Sequence, residues 1–274
     1  MGTKEIYEGS PAIRASTLAY SDNFMLTTGG ILNIYNNLTE EDCDLILAEA
    51  RLVQVQFARA FDVSESTFEL INRRLLTVTP APQMQFNLNG VGAITDLSCL
   101  RWLPNLKAMS VDFCRLNQID KINKYLLLEK LGIGGHRLSI KRLEEQTELE
   151  ELFLFQKLKD VEEVVNQMTW LRKLTFSMLT MKGFDFLVGL NELRELHFMQ
   201  GSATNYERLP DIGKIERLSY KMVRMLKIDH LWPINEMEHL KELTFKSQPH
   251  LTDLDWLTKQ DVDVEVSSCR NFRD

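Results

Sequence analysis

Five histidines, His136, His197, His230, His239 and His250, are the side chains of this sequence best suited to move protons or bind metal near neutral pH. No two of them are four residues apart, and none sits beside a cysteine or an acid pair at ligand spacing. They therefore read as surface or turn residues, with no helical metal pair or acid–base relay written into the chain. The cysteines, Cys43, Cys99, Cys114 and Cys269, are far apart and form no C-x-x-C pair. Buried free thiols that pack as small hydrophobes are expected, in place of a zinc site or a disulfide framework. There is no H-E-x-x-H, no G-x-S-x-G and no phosphate-binding loop. Gly132-Ile133-Gly134-Gly135 continues an apolar run after Leu131 and opens no helix, so it reads as a flat patch on a strand. Glu40, Glu41, Asp42 and Asp44 lack the spaced oxygens and turn glycine of a calcium loop and read as a solvated helix start. No cofactor and no metal are expected.

If chemistry is missing at the level of motifs, the elements carry the information. One apolar frame recurs as Leu106-Met109-Val111, Leu128-Leu131-Ile133, Leu149-Leu152-Leu154, Leu171-Leu174-Phe176, Leu193-Leu196-Phe198, Ile215-Leu218-Tyr220 and Leu240-Leu243-Phe245. Val264 and Val266, with Cys269 after them, form a final copy. The middle residues are separated by 22, 21, 22, 22, 22, 25 and 21 positions. Residues two apart point to one side of a short strand. One unit cannot bury that side alone, but stacked units make a continuous core. The expected product is a curved α/β solenoid with a parallel sheet on its concave face.

The frame resembles the leucine-rich repeat family from about Gln83 to Asp274. Ile94-Thr95-Asp96-Leu97, followed by Leu100, Leu103, Pro104, Asn105 and Leu106, is similar to short bacterial, internalin-type repeats, and Leu251-Thr252-Asp253-Leu254 repeats the pattern. In the family, an asparagine after each strand bonds the backbone of neighbouring coils. Here that position holds Cys114, His136, Lys157, Leu179, Gly201, Val223, Gln248 and Cys269, so irregular coils are expected. The resemblance implies a protein-recognition surface.

Residues 1–82 carry no clear copy of the frame and read as an α+β N-terminal cap or a separate module, with 83–274 as the solenoid. Phe24 to Tyr35 is two apolar runs around Gly29-Gly30, a hairpin signal. Thr39 followed by acids starts a helix through Ala50. Val53 to Phe57 alternates as a strand, Ser64 to Arg74 suits a short helix, and Leu75 to Thr79 reads as a strand ending at Pro80. Met1 to Asp22 is expected to be partly ordered.

The frame also places the outward side chains, which alternate with the core residues. Phe153, Phe155, Met178, His197 and Met199 fall together, with Phe113 two coils earlier and Lys221 and Lys246 on the far side. Exposed aromatic and methionine side chains in one concavity mark a protein-contact site. The 274 residues are 26% charged and 44% hydrophobic, with 32 Lys and Arg against 39 Asp and Glu and a net charge of -7. That acidity disfavours nucleic acid and anionic membranes and suits a basic partner. It is local: residues 1–50 hold eight acids against Lys4 and Arg14, which leaves -1 for residues 51–274. Met1 to Arg14 has no basic start followed by an apolar run, and no stretch reaches the ~18 apolar residues that span a bilayer. A cytoplasmic, non-catalytic protein-binding scaffold is the functional expectation. Its size and acidity suit a bacterial immunity protein that neutralises a toxin. The alternative is a recognition subunit, or an enzyme with its site in residues 1–82.

Overall fold

The computed structural model describes residues 16–273 apart from 50, 89–92, 95, 113, 115, 204, 225 and 226. The chain divides into two compact units, residues 1–131 and 132–274.

In the first unit, β1 (Thr17–Tyr20), β2 (Phe24–Thr27) and β3 (Ile31–Ile34) are antiparallel neighbours. The hairpin turns at Gly30, whose φ of 76° suits glycine. β1 lies inside the segment expected to be only partly ordered. From β3 onward the pairing becomes parallel through β4 (Gln54–Phe57), β5 (Gln83–Asn87) and β6 (Ala108–Asp112). Leu32, Val55, Met84 and Met109 share one register position, all fully buried. Helices Glu40–Ala48 and Glu65–Leu70 connect these strands.

The acids of the first helix are not simply solvated. Thr39 and Asp42 form a capping box, and the buried Asp42 carboxylate also accepts from Ser21 Oγ (2.6 Å) and Asn23 Nδ2 (2.7 Å). Glu40 pairs with Arg73 and Arg74, and Asp44 with Arg74. The strand expected at Leu75 to Thr79 is absent. Ile71–Leu75 instead forms a wider helical turn that buries Ile71 and Leu75, one turn apart. Burial of that apolar pair outweighs strand propensity.

β7 (Lys130–Gly134) falls where the units divide. In the second unit, β8 (Glu151–Phe155), β9 (Lys173–Ser177), β11 (Glu195–Met199), β13 (Arg217–Lys221), β14 (Glu242–Lys246) and β15 (Asp263–Ser267) form an unbroken parallel series. Leu152, Leu174, Leu196, Leu218, Leu243 and Val264 align at one position, as the repeat requires. Two residues on, Phe176, Phe198, Tyr220 and Phe245 stack with ring centroids 6.1, 5.3 and 5.5 Å apart. This aromatic column is the centre of the core, and such contacts add to area burial.

The expected irregularity does not occur in the register, because the backbone takes over the missing asparagines' work. Each of these strands from β8 is followed by a left-handed non-glycine residue: Gln156, Met178, Gln200, Met222, Ser247 and Ser268, with φ from 51° to 67°. In the first five, its N–H donates to the next coil, as from Met178 to Met199 O (2.8 Å) and Gln200 to Lys221 O (2.9 Å). A second short parallel pair, β10 (Thr180–Met181) with β12 (Ser202–Ala203), runs beside it. Ser202 N–H donates to Leu179 O, and Arg224 N–H to Gly201 O. A Cβ on Gly201 would run into Leu179 O, so this position needs glycine.

Candidate functional site

Parallel register sorts the outward face of the second unit into three rows. The first runs Glu151, Lys173, Glu195, Arg217, Glu242, Asp263. The second runs Phe153, Thr175, His197, Ser219, Thr244, Glu265, and the third Phe155, Ser177, Met199, Lys221, Lys246, Ser267. Adjacent members lie on strands about 4.8 Å apart.

At the β8 end the surface is apolar. The rings of Phe153 and Phe155 stack with centroids 5.3 Å apart, while Leu152 and Leu154 between them point into the core. Both phenylalanines are half-buried. Phe155 lies over Gly134, where a Cβ would fall inside its ring. The glycine run is therefore not an open flat patch: residues 132–135 are buried, and the missing side chain at Gly134 seats Phe155. Met178 stands 54% exposed because its left-handed backbone turns it out beyond β9. Met222 occupies the same position two coils on, is also exposed, and escaped the sequence reading. Met199 is half-buried in the third row. Phe113 lies outside the described residues.

The middle of the face is a polar network. His197 Nδ1 is 2.7 Å from Ser219 Oγ, and Nε2 is 3.3 Å from Glu195 Oε2. Burial lowers the His197 pKa below its usual 6.5, with Glu195 opposing the shift. Burial alone would raise Glu195, but Lys173, His197 and Arg217 hold it below the usual carboxylate value. Lys173 is 3.1 Å from Glu195, and Arg217 bridges Glu195 and Glu242. A serine, an imidazole and a carboxylate in series is the order used in acyl transfer. Here the neighbouring strand amides belong to the parallel ladders, and the carboxylate is already held by two cations. The network fixes the imidazole in place and leaves it neutral.

Beyond it stand Lys221 and Lys246, adjacent in register and without an ion pair among the described residues. The carboxylates of Glu195 and Glu242 are taken up by Lys173 and Arg217, so the free charge on this end of the third row is positive.

The first unit carries a different face, which the sequence reading missed. Gln54 Nε2 donates to Gln56 Oε1 (2.9 Å) and Gln85 Oε1 (2.7 Å), and Gln56 Nε2 to Asn33 Oδ1 (2.7 Å). Gln56, Gln85 and Asn33 line an open cavity of about 330 Å³. The signal was present as Gln54-x-Gln56 and Gln83-x-Gln85 alternating around Val55 and Met84.

Burial pushes the Cys43 thiol up to about 11 and Cys99 to about 12, which suits packing and not nucleophilic chemistry. Among the described residues no group of three or more His, Cys, Asp or Glu is placed to hold a metal ion. No described helix is long and apolar enough to cross a membrane.

The repeating frame, the parallel register and the alternation of buried and outward residues define an α/β leucine-rich repeat solenoid. The chain is similar to two solved structures from Listeria monocytogenes. One is internalin C2, at 10% identity over 88% of this chain and 96% of that chain, with a TM-score of 0.36. The other is an internalin, inlF, at 16% identity over 95% of this chain and 94% of that chain, with a TM-score of 0.37. No family model and no curated protein matches the chain.

Proposed function

We propose that this chain is a non-catalytic protein-recognition scaffold, and that the outward face from β8 to β14 is its binding surface. The observation that carries the reading is the gradient along that face. Phe153, Phe155, Met178 and Met199 form an apolar end, His197 is pinned in the middle, and Lys221 and Lys246 are free beyond it. Apolar anchors surrounded by polar groups are the make-up of a contact hot spot. Residues 1–82 serve as the capping region and 83–274 as the recognition solenoid. In its finer form the protein is a cytoplasmic bacterial immunity protein that occupies a toxin.

The test is affinity purification of the full chain from its native cells, with identification of a stoichiometric protein partner. The Phe153→Ala/Phe155→Ala variant is run beside it. Loss of two buried-on-binding aromatics is expected to weaken association by about thirtyfold or more. A partner retained at undiminished affinity by a variant with a native melting transition would overturn the reading.

A further inference from the structure

The last strand of the second unit, β15, differs from the strands before it in three respects. It pairs only with β14 among the described residues. Asp263 N–H donates to Lys241 O, and Ser267 O accepts from Ser247 N–H, so the odd-numbered residues face β14. In a parallel ladder alternate residues bond opposite neighbours. The N–H and C=O groups of Val264 and Val266 therefore point to the outer edge. Secondly, Val264 and Val266 are only half-buried, whereas Leu243 and Phe245 at the same positions of β14 are fully buried.

The third difference is charge. Along the first row the sign alternates from Glu151 through Lys173, Glu195 and Arg217 to Glu242, and then repeats at Asp263. Asp263 and Glu265 are both exposed and have no ion pair among the described residues.

We propose that the outer edge of β15 is a strand-addition site for an extended segment of another protein that carries Lys or Arg at alternate positions with apolar residues between them. Main-chain bonds to Val264 and Val266 would supply affinity, and the alternate side chains specificity. In the register of the sheet, the basic residues fall beside Asp263 and Glu265 and restore the alternation of sign. The apolar residues cover Val264 and Val266 and complete the last layer of core. A second copy of this chain fits less well: antiparallel pairing centred on Glu265 sets Glu265 against itself, and like charges directly opposite are unfavourable. The site is independent of the Phe153 face, at the opposite end of the same series of strands.

The experiment is amide hydrogen exchange on the full chain, read at Val264 and Val266 by NMR. Two synthetic probes are used, acetyl-Thr-Lys-Val-Lys-Val-Thr-amide and acetyl-Thr-Glu-Val-Glu-Val-Thr-amide. The basic peptide is expected to slow exchange at both positions by about tenfold or more, with the effect fading as salt rises. The acidic peptide should leave them unchanged, and Asp263→Lys/Glu265→Lys should reverse the preference. Equal slowing by both peptides, or none by the basic peptide at its solubility limit, overturns the proposal. So does protection already present without peptide; sedimentation then shows whether a second copy is the cause. If the charge-reversed variant fails to fold, the two peptides on the unaltered chain still decide the matter.

Discussion

His197 sits between Ser219 and Glu195 on a face that removes most of its contact with water. Burial favours the neutral ring, so its folded pKa lies below the 6.5 of the free side chain. The unfolded chain then binds more protons than the folded one just below that value. Stability from this residue is full above pH 6.5 and falls as pH drops toward the folded pKa. Glu195 acts lower on the scale: its folded pKa is depressed below 4.5, so its contribution is lost only under more acid conditions. His197→Gln should flatten the first decline in melting temperature below pH 6.5 and leave the second in place. An unchanged acid profile in the variant would show that the imbalance lies elsewhere. At this scale the outward placement of Phe153, Phe155 and Met199 was legible, because they alternate with Leu152, Leu154 and Phe198. The bond from His197 to Ser219 was not, because only the register makes those two positions neighbours, whereas Glu195 precedes His197 by two residues on the same strand.

At the scale of the element, the turn after each strand matters more than any side chain at the asparagine position. A left-handed L-residue costs roughly 1–2 kcal/mol, and glycine removes that cost while adding roughly 0.5–1 kcal/mol of backbone entropy to be lost. Gln200 is exposed, has φ 55°, and uses only its N–H, which donates to Lys221 O at 2.9 Å. Gln200→Gly should therefore raise stability by about 0.5–1 kcal/mol in denaturant unfolding. Gln200→Pro removes the donor and forbids the angle, and should cost about 3 kcal/mol or more. Equal effects of the two substitutions would mean that the turn is not the constraint. The apolar frame made β8, β9, β11, β13, β14 and β15 legible, since its spacing is nearly constant. The strands β3 and β4 were legible as strands, but their parallel pairing was not, because Leu32, Val55 and Met84 are spaced by 23 and 29 residues with whole helices between them. Propensity misread Leu75 to Thr79, where tertiary burial of Ile71 and Leu75 prolongs the helical path.

At the scale of the whole molecule, the net charge of -7 overstates what a partner would meet at the acidic start of the chain. Asp42 is buried, and Glu40 and Asp44 are spanned by Arg73 and Arg74. Among the described residues, the exposed strand acids without an ion pair are Asp263 and Glu265, far along the sequence in a region whose net charge is nearly zero. Distribution after pairing, not the total, decides where a basic segment would go. The same stacking logic sets the order of opening in the second unit. Each coil contacts only its neighbours, so interior strands lose two interfaces on opening and a terminal strand loses one. β9, β11 and β13 carry the stacked Phe176, Phe198 and Tyr220, all buried, while Val264 and Val266 of β15 are half-buried. Hydrogen exchange followed by mass spectrometry should show the fastest strand exchange at residues 263–267 and the slowest at 195–199 and 217–221. Phe198→Ala, expected to cost about 3–5 kcal/mol, should then bring the interior strands toward the rate of β15. Uniform exchange across all six strands of the native chain would mean that the unit opens all at once, and that its last strand is as firmly held as its centre.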